Sequence, residues 1–293
     1  MSKIESTLDW VRGLSSYFEF SKDDNAKKFV DFLEQSMYAE KPVIDNTNQE
    51  GMIEFISILR KFAPNEIFDI FHKYYRLGYD PKALQDAFSR GQVLSKIWLV
   101  NELVKIQKQF DMVHVHAGWF GQIRLYLDQI QIKYDKMRVF DIDKTANKVS
   151  DKVFNNLLLE DYKVKAVELD LLQRDNTEDT TSIMPYLHRN GMEYDVENFK
   201  SGKIYTEKTE ADLVINTSSE HFSENWFLQY RRKPQTTDPL FVIQTNNLHD
   251  LPEHVNTIHN IDELYKKYPM SKILYSGELE LPGYKRYMLI GRI

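Results

Sequence analysis

A series of short apolar runs, separated by amphipathic stretches of helical length, constrains the fold of this chain most strongly. The runs occupy residues 112–115, 138–143, 164–170, 213–215 and 240–243. The last two are too apolar for a sheet with one solvated face and are typical of buried parallel strands. Strands that alternate with helices predict an α/β fold, a doubly wound sheet with helices on both faces. We expect those helices at about 121–134 and 145–159, and a closing strand pair, 273–281 and 284–290, around Pro282-Gly283.

The first part of the chain has a different pattern. Up to residue 110 the apolar residues recur at helical spacing, and no stretch alternates like a strand. We therefore predict an all-helical N-terminal domain over residues 1–110 and a second domain over 111–293. Residues 174–210 are polar, and we interpret them as an insertion or a long loop within the second domain, whose role the sequence does not reveal.

Composition and charge exclude several classes of site. The chain has no cysteine, which excludes disulfides, thiolate metal sites and a cysteine nucleophile. A net charge of −6 gives no strong signal for nucleic acid. No apolar run approaches the roughly 20 residues of a membrane helix, and the first residues lack an apolar signal core. We expect a cytoplasmic protein without a membrane partner, and the oligomeric state stays open.

Polar or glycine-containing segments follow each predicted strand, where ligands bind in such sheets. The first strand leads into His116-Ala117-Gly118-Trp119-Phe120-Gly121, the glycine turn, whose glycines let a backbone approach a ligand closely. Asp141 closes the second strand and can accept the hydroxyls of a ribose. Asp170 closes the third strand. The fourth leads into Asn216-Thr217-Ser218-Ser219-Glu220-His221, the polar loop.

Each of these features also has a purely structural interpretation. Glycines at a strand-to-helix turn often serve packing alone, and an acid after a strand is often a helix cap, as Asp143 is positioned to be. The polar loop has the composition of a helix N-terminal capping box. The succession of a glycine turn, two acids and a polar loop on consecutive strand ends favours a ligand site.

These segments resemble the successive motifs of a class I S-adenosylmethionine-dependent methyltransferase. The resemblance is carried by Val113–Gly121, Val139–Asp143 and Asp212–His221, and it extends over roughly residues 110–293. A glycine-tryptophan-aromatic-glycine turn and an Asn-Thr-Ser-x-Glu-His loop are most similar to the phage-type branch, which implies action in a host cytoplasm. The family's Rossmann-like sheet is mostly parallel, with its last strand inserted antiparallel between the fifth and sixth.

The resemblance also implies roles for individual residues. Asp141 corresponds to the ribose ligand and Asp170 to the adenine ligand of S-adenosylmethionine. Asn216, Glu220 and His221 would face the methyl acceptor, with His221 favoured as a base because imidazoles exchange protons near neutral pH. The methionine part would lie against the glycine turn, whose cofactor-binding candidates are His116, Ala117, Gly118, Trp119 and Gly121.

Two other functions remain open. A non-catalytic cofactor-binding or assembly protein could keep the same fold, and the irregular glycine motif favours this alternative. A nucleotide-sugar or NAD-dependent enzyme would use the same sheet, but the chain lacks a full GxGxxG motif. The leading prediction is methyl transfer from S-adenosylmethionine to an acceptor that the sequence does not name.

Histidines and an acid also cluster between residues 249 and 259, namely His249, Glu253, His254 and His259. Pro252 interrupts any helix that would align their side chains on one face. The sequence therefore predicts no metal site.

Overall fold

A computed structural model of the chain forms two compact units, Met1–Trp98 and Leu99–Ile293. The structure describes residues 3–22, 26–37, 56–57, 60–61, 63, 65–76, 84, 86–119, 121–154, 164–168, 187–188, 191–197, 201–221, 223–232 and 236–293. None of the helices in these ranges has the length and apolar character needed to span a membrane.

The first unit is helical over the residues that are described. Aromatic side chains hold its helices together: Phe18 meets Phe29 edge to face at 5.0 Å, and Trp10 lies 5.9 Å from Phe71. Its helices are α1 (Lys3–Ser21), α2 (Ala26–Met37) and α3 (Asn65–Arg76), and the division between the units falls within α4 (Arg90–Ile106).

The second unit is an α/β structure. Its helices are α5 (Ile123–Gln129), α6 (Lys144–Phe154), α7 (Asn225–Arg232) and α8 (Ile261–Lys267). Its strands are β1 (Gln109–His116), β2 (Lys133–Asp141), β3 (Val164–Glu168), β4 (Leu187–His188), β5 (Gly191–Glu197), β6 (Ile204–Thr209), β7 (Leu213–Asn216), β8 (Leu240–Asn246), β9 (Lys272–Leu281) and β10 (Tyr284–Arg292).

The main sheet has seven strands in the order β3-β2-β1-β7-β8-β10-β9. The pairs from β3 to β8 are parallel, and β10 is antiparallel to both of its neighbours. This confirms the prediction of a mostly parallel sheet whose last strand is inserted antiparallel. Every residue of β7 and β8 is buried, as expected for strands covered on both faces.

The boundaries of some elements differ from the prediction. The predicted helix over 121–134 ends at Gln129, and β2 begins at Lys133 instead of residue 138. Gln131 has a positive φ of 60°, which ends the helical path. After Gln131, buried Ile132 and Tyr134 alternate with exposed residues. This is the period of a strand, and the predicted helix over 121–134 was wrong there.

The polar segment 174–210 contributes a second sheet, with the antiparallel order β4-β5-β6. An ion pair ties it to the main sheet, because Arg138 donates to both carboxylate oxygens of Glu207 at 2.7 and 2.8 Å. Tyr194 also packs edge to face on Phe140, with ring centroids 5.0 Å apart. The described part of this segment therefore covers one face of β1 and β2.

Candidate functional site

The order of strands reverses between β1 and β7, so the carboxyl ends of these two strands define the switch point of the sheet. His116, the last residue of β1, is in register with Asn216, the last residue of β7, and with Phe140 on β2. The glycine turn, Asp141 and the polar loop therefore start from the same edge. Ligands of open α/β sheets bind in the crevice at such an edge.

The glycine turn has an unusual backbone. Ala117 and Trp119 have positive φ angles of 47° and 46°, a region that residues with a side chain seldom occupy, and Gly121 has a φ of 73°. Between them, Gly118 packs so closely on the sheet that an added Cβ would lie 2.7 Å from a methyl of Val115 and 2.8 Å from one of Val139. Backbone strain of this kind is concentrated at functional sites.

Asp141 is held at the end of β2 by backbone amides. Trp119 N–H donates to Oδ2 at 2.6 Å, and Asp143 N–H donates to Oδ1 at 3.0 Å. Burial raises the pKa of the Asp141 carboxyl above its ordinary value, while these amide donors oppose the shift. The carboxylate thus fixes the glycine turn to β2, and its side chain is only half-buried.

Asp143 serves as the cap of α6. Its Oδ1 accepts the N–H groups of Thr145 at 2.8 Å and Ala146 at 3.3 Å, which satisfies free amides of the first turn. The two neighbouring acids therefore have different main roles. Asp141 binds the backbone of the glycine turn, whereas Asp143 caps the helix and reaches the turn through the Trp119 indole, whose Nε1 lies 3.4 Å from its Oδ2.

His116 lies in the hydrophobic core. Its side chain is fully buried, with its ring 5.2 Å from that of Trp226 and 5.7 Å from that of Phe140, and its Nε2 lies 3.4 Å from the hydroxyl of Tyr230. Desolvation lowers the pKa of His116 to about 3, so the ring is neutral. If His116 contacts a ligand at the sheet edge, it can do so only through its backbone, because its side chain is buried in the core.

The prediction for Asp170 lies outside the described residues, as does Phe120 of the glycine turn.

Asn216 is buried at the switch point. Its Oδ1 accepts the N–H of Ser218 at 3.0 Å, which turns the chain after β7. Its Nδ2 is buried without a hydrogen-bond partner among the described residues. An unpaired buried donor is costly, and a ligand atom at this edge would satisfy it.

Glu220 is held in place by side chains of strands β8 and β10. Its Oε1 accepts from Asn246 Nδ2 at 2.7 Å and lies 3.6 Å from Arg286 Nη2, and both charged side chains are 3% exposed. Arg286 also donates to the carbonyl oxygen of Thr217 at 3.0 Å. The carboxylate is therefore fixed in position inside the protein, next to the switch point.

His221 is exposed beside Glu220, and its ring lies edge-on to that of His254 at 4.8 Å. One ligand atom from each of Glu220, His221 and His254 can be chosen so that all three lie within 4.8 Å of one another. The other members of the predicted histidine cluster are arranged differently, since the rings of His249 and His259 stack at 4.1 Å.

Sequence reasoning missed the residues that position Glu220. Asn246 and Arg286 were not singled out, and His254 was considered only with its neighbours in sequence. A signal for Asn246 does exist, because the apolar strand β8 ends in Gln244-Thr245-Asn246, a buried polar run. For Arg286 the pairing is visible only once β10 lies next to β8.

No family model matches the chain, and none of the curated proteins matches it. Several solved structures are similar in fold. Magnesium protoporphyrin IX methyltransferase from Synechocystis PCC 6803, with bound S-adenosylmethionine, is 13% identical with a TM-score of 0.46, covering 81% of this chain and 96% of that one. A SAM-dependent methyltransferase from Aquifex aeolicus is 12% identical with a TM-score of 0.43, covering 73% and 99%.

An O-methyltransferase family protein from Burkholderia thailandensis is 12% identical with a TM-score of 0.39, covering 94% of this chain and 71% of that one. The order and direction of the strands establish the fold independently of these likenesses. The second unit of this chain has the Rossmann-like methyltransferase sheet.

Proposed function

We propose that this protein is an S-adenosylmethionine-dependent methyltransferase, with the cofactor at the carboxyl ends of β1 and β2 and the acceptor on the side of β7. The observation that carries the proposal is the contact between Trp119 N–H and the Asp141 carboxylate. It joins the glycine turn to the acid that would bind the ribose, at the switch point of a methyltransferase-type sheet.

The hydrogen bonds of Asp141 suit two ribose hydroxyls. Each carboxylate oxygen accepts one backbone N–H, from Trp119 or from Asp143, and an ionised carboxylate offers about four lone-pair sites. Its remaining acceptor sites can bind two adjacent hydroxyls of a ribose. The orientation of the carboxylate is already fixed, so little conformational freedom is lost on binding.

The glycine turn suits the methionine part of the cofactor. Gly118 has no side chain and lies in tight contact with Val115 and Val139, so the backbone of the turn stays close to the end of the sheet, where a ligand can approach it. The positive φ angles of Ala117 and Trp119 are strain that a ligand site explains better than packing does.

Asn216, Glu220 and His221 are proposed to serve the methyl acceptor. S-adenosylmethionine supplies an activated methyl group, so alignment of the acceptor accounts for much of the rate. The buried amide donor of Asn216, which has no partner among the described residues, could orient an acceptor oxygen or nitrogen. His221 is exposed in the same polar loop and can take the proton that a hydroxyl or amine acceptor releases.

The similarity of the glycine turn and the polar loop to the phage-type branch extends this proposal to a cytoplasmic enzyme of that branch, acting in a host cytoplasm if the protein comes from a phage.

The cofactor part of the proposal is tested by calorimetry with S-adenosylhomocysteine. We expect a dissociation constant in the micromolar range, which corresponds to a binding free energy of about −8 kcal/mol. Absence of binding at millimolar ligand by the folded protein would refute it.

Transfer is tested with labelled S-adenosylmethionine and cell extract, by following label into the protein, nucleic-acid and small-molecule fractions. The variant H221A should lose most of its turnover and keep cofactor affinity within about twofold, as expected for a group that acts on the acceptor. Binding without transfer into any fraction would instead support the non-catalytic alternative.

A further inference from the structure

We propose that Glu220, His221 and His254 form a binding site for a divalent transition-metal ion at the carboxyl ends of β7 and β8. The site differs from the cluster considered from sequence, because it joins a histidine of the 247–259 segment to two residues of the polar loop. Potential ligand atoms of the three side chains lie within 4.8 Å of one another.

The hydrogen bonds of the two histidines leave a ring nitrogen available to a metal. Nδ1 of His221 lies 3.3 Å from the carbonyl oxygen of Glu253, and Nδ1 of His254 lies 3.0 Å from that of Leu248. Because a carbonyl only accepts, both Nδ1 atoms must carry the proton. The neutral rings then have their free lone pair on Nε2, which is the arrangement found in most metal-binding histidines.

Glu220 supplies a negative ligand that lacks a second partner. Asn246 and Arg286 engage its Oε1, whereas its Oε2 is buried without a hydrogen-bond partner among the described residues. A buried carboxylate oxygen left unpaired is costly, and a cation beside it removes that cost. This observation is independent of the histidine geometry and points to the same ion.

The donor set indicates the kind of ion. Imidazole nitrogens suit zinc, iron, nickel and copper, whereas magnesium and calcium prefer oxygen ligands alone. Tetrahedral ligands about 2.1 Å from one ion lie about 3.4 Å apart, so atoms that now lie within 4.8 Å of one another must approach by up to about 1.4 Å. The exposed side chain of His221 can make this movement by rotation.

Three protein ligands leave coordination positions open, as in catalytic rather than structural zinc sites. Since His221 is exposed and His254 half-buried, these positions are accessible to water or to an oxygen atom of another molecule. A nitrogen that ligates metal cannot also take a proton, so in the metal-loaded protein His221 would hold the ion instead of acting as a base.

The site is tested with the full chain, stripped of metal by a chelator and titrated with Zn²⁺ by calorimetry in the absence of S-adenosylmethionine. We expect one ion per chain, binding at least tenfold weaker in H221A and in H254A, and little competition from Mg²⁺. E220Q should also weaken binding, while its amide oxygen can still accept from Asn246. Thermal unfolding of each metal-free variant checks that the fold is retained.

The double variant H249A/H259A is the matched control, because it removes the stacked neighbouring histidines and leaves the three proposed ligands. Zn²⁺ binding that survives in H221A and H254A, or that is lost in the control, would overturn the proposal, as would failure of the wild-type chain to bind. Because no cofactor is present, these results are independent of methyl transfer.

Discussion

The two sides of the switch point hold their acids in different ways. On the side of β1 and β2, Asp141 is half-buried and accepts hydrogen bonds from backbone amides of adjoining turns. On the side of β7 and β8, Glu220 is fully buried and accepts from side chains of the sheet. Loss of an acid held by turns leaves the contacts within the sheet in place, whereas loss of one partner of a buried ion pair leaves an uncompensated charge in the core. The first arrangement suits binding of a ligand, and the second suits rigid placement of neighbouring groups.

The largest effect is expected for R286M, which removes one partner of the buried ion pair and leaves Glu220 uncompensated. Loss of one partner from such a pair costs about 3–5 kcal/mol in the free energy of unfolding, measured by urea denaturation. The double variant R286M/E220Q should recover part of this loss, because no buried charge remains. A decrease below about 1 kcal/mol in the unfolding free energy of R286M would show that Glu220 is not held more firmly than Asp141.

On the side of β1 and β2, the variant to compare with R286M is D141A. It should weaken binding of S-adenosylhomocysteine by roughly 1.5–3 kcal/mol, the value of hydrogen bonds to a charged group, and destabilise the fold less than R286M does. Calorimetry measures the first quantity and urea denaturation the second.

D143A is the matched control for D141A. It should cost about 1 kcal/mol of stability through loss of the helix cap, with a smaller effect on ligand binding. A larger loss of binding in D143A than in D141A would mean that Asp143, and not Asp141, binds the ribose.

The close packing of the glycine turn is tested by G118A. A methyl group placed 2.7 and 2.8 Å from two buried valine methyls should lower the free energy of unfolding by about 1–3 kcal/mol. G202A is the control, because an added Cβ there meets nothing within 4 Å and only the positive φ opposes it. Equal losses in the two variants would mean that the contact with Val115 and Val139 is easily relieved.

A further effect concerns pH and the core beneath the turn. In the native state the pKa of His116 is about 3, below the value of about 6.5 for an unfolded chain. Between these values only the unfolded state takes up the proton, so stability falls as the pH drops below about 6.5.

H116F should reduce the slope of stability against pH by up to about 1.4 kcal/mol per pH unit between pH 5 and 6. Buried His114 contributes a slope of the same sign and remains in that variant. Parallel curves for the wild-type chain and H116F would contradict the neutral state of His116.

Local patterns predicted the strands of the main sheet because buried parallel strands are continuous apolar runs, and β7 and β8 are such runs. The start of β2 was missed, since one exposed face mixes charged residues into its first half. The position of Asp141 follows from its place at the end of a strand. The pairing of Glu220 with Arg286 and the approach of His254 to His221 depend on contacts between distant segments, which no local pattern encodes.

The place of β10 has a consequence for how the second unit folds. It pairs with β8 on one side and β9 on the other, so until residues 284–292 leave the ribosome both neighbours present an unpaired edge. The sheet is therefore completed only when the last strand inserts between β8 and β9. A nascent chain that stalls before Tyr284 would therefore expose the edge of the apolar strand β8 and depend on chaperones to avoid aggregation.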